Sequence, residues 1–282
     1  MSFELDHASL QLADMGQAIR ALHERLGLEP LLGIGDPEHH GRIVFENTYV
    51  ELTVPAQGPP ALSSPWTLPW FFLRFSDDPS ALCARLRDAG LSPCFQLFEG
   101  DDGCWTEIRL DTARETPAPL LLQRPARRSF LTGTLPRPMP SHGCGAFQLA
   151  GVLVVTPDLL ATLELYRRLL GISPLPKPYL DRVFAGRRVD LRLPSGRLGF
   201  LQPEGAGLAS RALEAWGPGP LGLQLAVESF WPVEEQTARL GIHTERGITP
   251  RGAEMWIDPQ ETFGVSFGYV EELPPIGAWG GG

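Results

Sequence analysis

The sequence contains no apolar run of about 18 residues, the length that crosses a bilayer as a helix, so no membrane span is expected. Its first residues, Met1-Ser2-Phe3-Glu4, have neither the basic start nor the apolar stretch of a signal peptide, which makes the cytoplasm the expected compartment. Positive charge is scarce: 24 Lys and Arg stand against 33 Asp and Glu, a net −9. Nucleic-acid phosphates need a basic face, so nucleic acid is excluded as a partner. Cysteine is scarcer still. Cys83, Cys94, Cys104 and Cys144 show no CxxC spacing and are too few to staple 282 residues, so they read as free thiols. There is no P-loop, no GxSxG and no HExxH. Gly217, Gly219 and Gly222 have the spacing of a dinucleotide turn. Pro218 and Pro220 interrupt it, however, and it precedes a strand, so it reads as an ordinary turn. Arg124, Arg127 and Arg128 read as a solvated linker, and His142-x-Cys144 as incidental to it.

What is present is a globular composition, 43% hydrophobic and 20% charged, in a chain long enough for about two domains. Gly (31) and Pro (28) are abundant and imply many turns. The strongest pattern is fourfold recurrence. Leu26-Gly27-Leu28, Ala89-Gly90-Leu91, Leu170-Gly171-Ile172 and Leu240-Gly241-Ile242 each end a helical stretch, with Gly in the left-handed conformation that closes it. Thirteen residues before each Gly stands an acid: Asp14, Asp77, Asp158 and Glu228. The aspartates are N-cap candidates; in the fourth copy Ser229 caps better. Met15, Ala18, Ile19, Leu22 and Leu26 follow the 3.6 period, as do Leu159, Leu163, Tyr166 and Leu170.

A strand-like run precedes each helix: residues 8–12, 71–75, 152–155 and 223–227. Hairpins follow, clearest at 42–54 around Glu46-Asn47 and at 187–202 around Pro194-Ser195-Gly196. The expectation is an α+β fold of four βαβββ modules. Modules one and two form a domain at 1–124, residues 125–145 a linker, modules three and four a domain at 146–272, and 273–282 a loose tail.

Strand alternation proposes a site. Ala8, Leu10 and Leu12 share one face of the first strand, and His7, Ser9 and Gln11 the other. In the last strand of module one, Val50, Leu52 and Val54 oppose Tyr49, Glu51 and Thr53. The apolar faces pack on the helix, and the polar faces then line a common surface that holds His7 and Glu51. An imidazole and a carboxylate suit a divalent cation or an acid/base pair; as solvated edge residues they would do neither.

Leu5-Asp6-His7-Ala8-Ser9-Leu10, Arg25-Leu26-Gly27-Leu28-Glu29-Pro30 and Tyr49-Val50-Glu51-Leu52 resemble the glyoxalase-like branch of the vicinal oxygen chelate (glyoxalase/bleomycin-resistance/dioxygenase) superfamily. Tyr166-Arg167-Arg168-Leu169-Leu170-Gly171 and the segment 258–265 echo it in modules three and four. The resemblance implies paired modules whose sheets curl round a divalent metal, with His or Gln on first strands and Glu on last strands as ligands. It implies His7, Glu51 and Gln123 as the metal set, Glu51 also being catalytic; His39 or His40, just upstream of the hairpin, could add a third ligand but reads rather as a polar loop pair. Module two departs from the pattern: Trp70 stands where His7 stands in module one and cannot ligate. Trp70, Phe72 and Arg74 share parity and, with Ser9, Gln11 and Tyr49, are candidates for contacting substrate. In modules three and four the ligand positions fall on Gly151, Leu221 or Gly222, Gly199 and Gly268, which leaves no ligand there and disfavours a ring-cleaving dioxygenase.

The resemblance therefore implies a small-molecule enzyme, a metal-dependent lyase or isomerase acting on an oxygen-chelating substrate. The alternative is a metal-free protein of the same fold that binds or sequesters an apolar or aromatic compound. A protein-interaction module without chemistry is the third reading. Monomer and homodimer are both compatible with four modules in one chain.

Overall fold

A computed structural model describes residues 3–32, 38–45, 48–55, 66–75, 78–100, 103–110, 120–125, 142–262 and 264–273. The fold is α+β, with four βαβββ modules paired in two curved mixed sheets. Module one comprises β1 (Phe3–Leu12), α1 (Met15–Leu26), β2 (Pro30–Leu32), β3 (His40–Val44) and β4 (Tyr49–Thr53). Module two comprises β5 (Trp66–Phe75), α2 (Pro79–Asp88), β6 (Pro93–Gly100), β7 (Gly103–Leu110) and β8 (Leu120–Pro125). Module three comprises β9 (Ala146–Val155), α3 (Leu159–Leu170), β10 (Tyr179–Asp181), β11 (Gly186–Leu193) and β12 (Gly196–Pro203). After the extra helix α4 (Leu208–Trp216) comes module four: β13 (Gly219–Val227), α5 (Trp231–Leu240), β14 (Thr244–Thr249), β15 (Gly252–Ile257) and β16 (Ser266–Glu271).

Each sheet has eight strands, ordered β2-β3-β4-β1-β5-β8-β7-β6 and β10-β11-β12-β9-β13-β16-β15-β14. The hairpin strands pair antiparallel, whereas β12–β9, β13–β16 and β5–β8 pair parallel, because a helix crosses between them. Strands in these central places are buried on both faces and read as near-continuous apolar runs, which is why β9 ends in Val152-Leu153-Val154-Val155.

The helices start and stop where side-chain chemistry directs. Asp14 accepts a hydrogen bond from Gln17 N, and Asp158 from Ala161 N. Gly27, Gly171 and Gly241 end α1, α3 and α5 in the left-handed conformation. In module two the cap is Asp78, bonded to Ala81 N, not Asp77, which lies outside the described residues. In module four Phe230 occupies the N-cap position, and Ser229 Oγ accepts from Trp231 N at 3.2 Å. Helix α4 was not expected: its N-cap is Gly207, and it buries only Ala209 and Ala212, so neither a cap nor a broad apolar stripe marks it.

Grouped by proximity, the chain makes two compact units, each discontinuous in sequence. One unites Met1–Ala8, Pro69–Leu135 and Gly151–Leu221. Within it Ser195 Oγ donates to Leu5 O at 3.0 Å and Arg168 donates to Ala89 O at 3.0 Å. The other unites Ser9–Leu68, Pro136–Ala150 and Gly222–Gly282. There α1 packs on α5 so closely that a Cβ on Gly27 would lie 2.8 Å from Cys144 N and 2.4 Å from Gln236 Oε1. Arg25 pairs with Glu261 at 3.2 Å, and Leu149 N donates to Thr48 Oγ1. Of the expected linker, residues 126–141 lie outside the described set. His142 does not stand apart as expected: it is buried, accepts from Glu29 N at 3.0 Å and meets Val44 O at 3.0 Å. Of the expected tail, 274–282 lie outside the described residues. Among the described residues no helix is long and apolar enough to cross a membrane.

Candidate functional site

Strand β1 does not alternate uniformly. Phe3 and Leu5 are buried between half-buried Glu4 and Asp6, but farther along Ala8, Leu10 and Leu12 are the apolar residues that are fully buried. His7 and Ser9 are buried as well, so β1 is enclosed on both faces from His7 to Leu10, as a central strand is. Two neighbouring side chains meet there: Asp6 Oδ2 lies 2.8 Å from His7 Nδ1.

The His7 ring is buried and stacks on Phe72 of β5, with ring centroids 3.8 Å apart at 15°. Two residues along β5, Arg74 donates from Nε to Glu4 Oε2 at 3.1 Å, and its Nη2 bonds the same oxygen. Arg74 Nη1 also faces the second oxygen of Asp6, Oδ1, at 3.6 Å. Expected to meet a substrate anion, Arg74 is thus engaged by two carboxylates of the chain itself. In backbone register Arg74 is the partner of Gln123 on β8, and Gln123 the partner of Glu107 on β7. Glu107 is a buried carboxylate. The sequence reading passed over Glu4, Asp6 and Glu107. The signal for the first two was the shift of apolar residues from positions 3 and 5 to 8, 10 and 12.

The other expected residues are placed as follows. Ser9 is buried and Gln11 half-buried on β1. Tyr49 is buried under the Arg42 guanidinium, whose carbon is 5.3 Å from the ring centre. Glu51 is half-buried and is the register partner of Arg42. His39 lies in a turn and His40 is exposed at the start of β3. The side chains of Trp70 and Gln123 lie outside the described set.

A metal is what the family resemblance implies, and the donor chemistry meets it in part. A ligating imidazole characteristically gives its other ring N–H to a carboxylate, the relation His7 has with Asp6. Among the described residues no three His, Cys, Asp or Glu side chains are grouped to hold an ion. An ion would therefore need an amide oxygen or water beside the imidazole and one carboxylate.

The corresponding positions in the second sheet are filled by protein. A Cβ on Gly199 would lie 2.9 Å from Asp190 Oδ1, 2.9 Å from Leu153 Cδ1 and 3.3 Å from Arg188 Nε. Arg188 is fully buried; its Nε bonds Asp190 at 2.9 Å and its Nη1 bonds Asp181 at 3.1 Å. Tyr179 donates its hydroxyl to Asp190 at 2.8 Å. In module four a Cβ on Gly268 would lie 2.7 Å from the Trp256 ring, whose Nε1 donates to buried Glu254 at 3.1 Å.

Comparison with known proteins agrees with this architecture. The sequence model of a family described as glyoxalase-like domain matches residues 5–170. No curated protein matches the chain. Among solved structures, a variant of 4-hydroxymandelate synthase from Streptomyces coelicolor superposes with a TM-score of 0.65 at 15% identity, over 98% of this chain and 95% of that one. A halotolerant catechol dioxygenase superposes with a TM-score of 0.61 at 15% identity, over 97% of this chain and 89% of that one. At such identities the likeness is one of fold.

Proposed function

From the premise that the chain belongs to the glyoxalase-like domain family of the vicinal oxygen chelate superfamily, we propose that it is a metal-dependent enzyme acting on a small oxygen-chelating molecule, as a lyase or isomerase. The observation that carries this reading is the setting of His7: an imidazole inside the sheet, held flat against Phe72, with Nδ1 on a carboxylate. A buried histidine so restrained loses little rotational freedom when it binds, which is what a ligand or a proton-transfer group needs.

The residues proposed to hold the ion are His7, Glu51 and Gln123, completed by water. The ion would supply Lewis-acid stabilisation for an enolate-like charge on the substrate oxygens. His7 would bind through Nε2, since Nδ1 faces Asp6. Glu51 would be the carboxylate that ligates and exchanges a proton with substrate carbon or oxygen. Ser9, Gln11, Tyr49, Trp70, Phe72 and Arg74 remain the residues proposed to shape substrate binding, Arg74 through the carboxylates it holds.

The test is metal analysis after reconstitution with zinc, manganese and magnesium in turn. Near-stoichiometric retention of one ion, lost in His7→Ala and in Glu51→Gln, is the expected result. A protein that retains none of the three refutes the reading. The Phe72–His7 stack favours a second reading, a metal-free carrier of an aromatic compound. It expects aromatic metabolites to raise the melting temperature in the presence of a chelator.

A further inference from the structure

The structure assigns Asp6, anchored by Arg74, as a positioning residue that fixes which nitrogen of His7 carries the proton. The assignment deepens the reading of His7 as the functional imidazole and rests on it only for its consequence, not for its geometry.

A carboxylate accepts hydrogen bonds and has none to give, so Asp6 Oδ2 at 2.8 Å requires a proton on His7 Nδ1. In neutral His7 the lone pair is then on Nε2. Asp6 could satisfy this role only if its own carboxylate were held from rotating. Arg74 does so from the far side: it faces Asp6 Oδ1 at 3.6 Å while its Nε and Nη2 grip Glu4. Phe72, on the same strand as Arg74, supplies the flat wall that sets the ring plane. One strand, β5, thus sets both the plane of the imidazole and, through Asp6, its tautomer.

His142 gives an internal contrast. Its Nδ1 accepts from Glu29 N–H, so its proton lies on Nε2, directed at Val44 O. The two buried histidines are therefore expected in opposite tautomers.

The experiment is nitrogen-15 NMR of the imidazoles in metal-free protein at alkaline pH, where both rings are neutral. The expected spectrum shows His7 protonated on Nδ1 and His142 on Nε2. Asp6→Ala should move His7 toward the Nε2–H form that free imidazole side chains favour. Asp6→Asn, whose amide oxygen still accepts, should keep the Nδ1–H form. Arg74→Met should give a shift in the same direction as Asp6→Ala but smaller. Metal affinity, measured separately, should fall about 10- to 100-fold in Asp6→Ala, the usual effect of losing the group behind a ligating histidine. His7 protonated on Nε2 in the wild-type protein overturns the assignment even if every variant fails to fold. So does a spectrum unchanged by Asp6→Ala. If the tautomer is as expected but no ion is retained, the positioning stands and the metal reading fails; an ion retained with the opposite tautomer has the reverse meaning.

Discussion

The first sheet leaves its Arg74–Glu4 pair partly open to water, and the second encloses the pairs that Arg188 makes. Arg74 and Glu4 are each about a third exposed, at 32% and 34%, whereas Arg188, Asp181 and Asp190 are at 0%, 5% and 3%. In the second sheet the last-strand positions that the family resemblance would give a ligand fall near Gly199 and Gly268. The space above them is taken by Asp190 and Arg188 in one module and by Trp256 in the other. In both, the side chain that glycine lacks is replaced by a neighbour's.

The sharpest way to break this comparison is to remove one arginine from each sheet. Arg188→Met leaves Asp181 and Asp190 buried and unbalanced, and should cost about 3–5 kcal/mol of unfolding free energy. Arg74→Met removes a partly exposed, solvent-screened pair, and should cost about 1 kcal/mol or less. Urea denaturation of both variants measures the difference. Equal losses would mean that the two sheets do not differ as their burial implies.

A smaller effect tests the filled glycines. In Gly268→Ala the new methyl group would lie 2.7 Å from the Trp256 ring, which is held by its bond to Glu254. Overpacking of this kind should cost about 1–3 kcal/mol. Adding Trp256→Leu should make the alanine easier to accommodate, so the double variant should be less destabilised than the two single losses summed. Simple additivity, read from melting curves, would show that the ring is not what fills the position.

The modules were legible in the sequence because their signals are local: an Asp that caps, a left-handed Gly that closes, and a 3.6 period between them. What the sequence concealed is non-local or lies in an exception to a rule. The Arg188 cluster joins residues that only register makes neighbours, such as Tyr179 opposite Arg188. Asp6 precedes His7 directly, and strict alternation assigns the two to opposite faces, whereas their side chains meet. His142 looks like part of a linker in the sequence because its partners, Glu29 and Val44, are a hundred residues away or nearly so.

His142 also gives the first module a pH dependence. Burial holds its pKa below the ordinary value of 6.5, although the bond to Val44 and the charge of Glu29 pull the other way. At pH above 6.5 the ring is neutral in both folded and unfolded chains, and its contribution is complete. As pH falls below that value the unfolded chain takes up the proton first, so stability declines toward the lower folded pKa. Protonation would also set an N–H of the ring against the Glu29 N–H that it now accepts. Stability measured from pH 7.5 down to 5 should fall in the wild-type protein and fall less in His142→Gln. Equal slopes would remove His142 as the cause.

The smallest effect concerns what the two halves share. Asp14 and Asp158 cap α1 and α3 with the same geometry, their carboxylates 2.7 Å from Gln17 N and 3.0 Å from Ala161 N, both exposed. If the halves differ only at their centres, Asp14→Ala and Asp158→Ala should each cost about 1 kcal/mol, and the same within error. Hydrogen exchange along each helix distinguishes a local loss from a global one. A cap that costs nothing in one half would mean that its helix already opens below the global transition. The contrast between the sheets would then extend beyond their charged centres to the stability of whole modules.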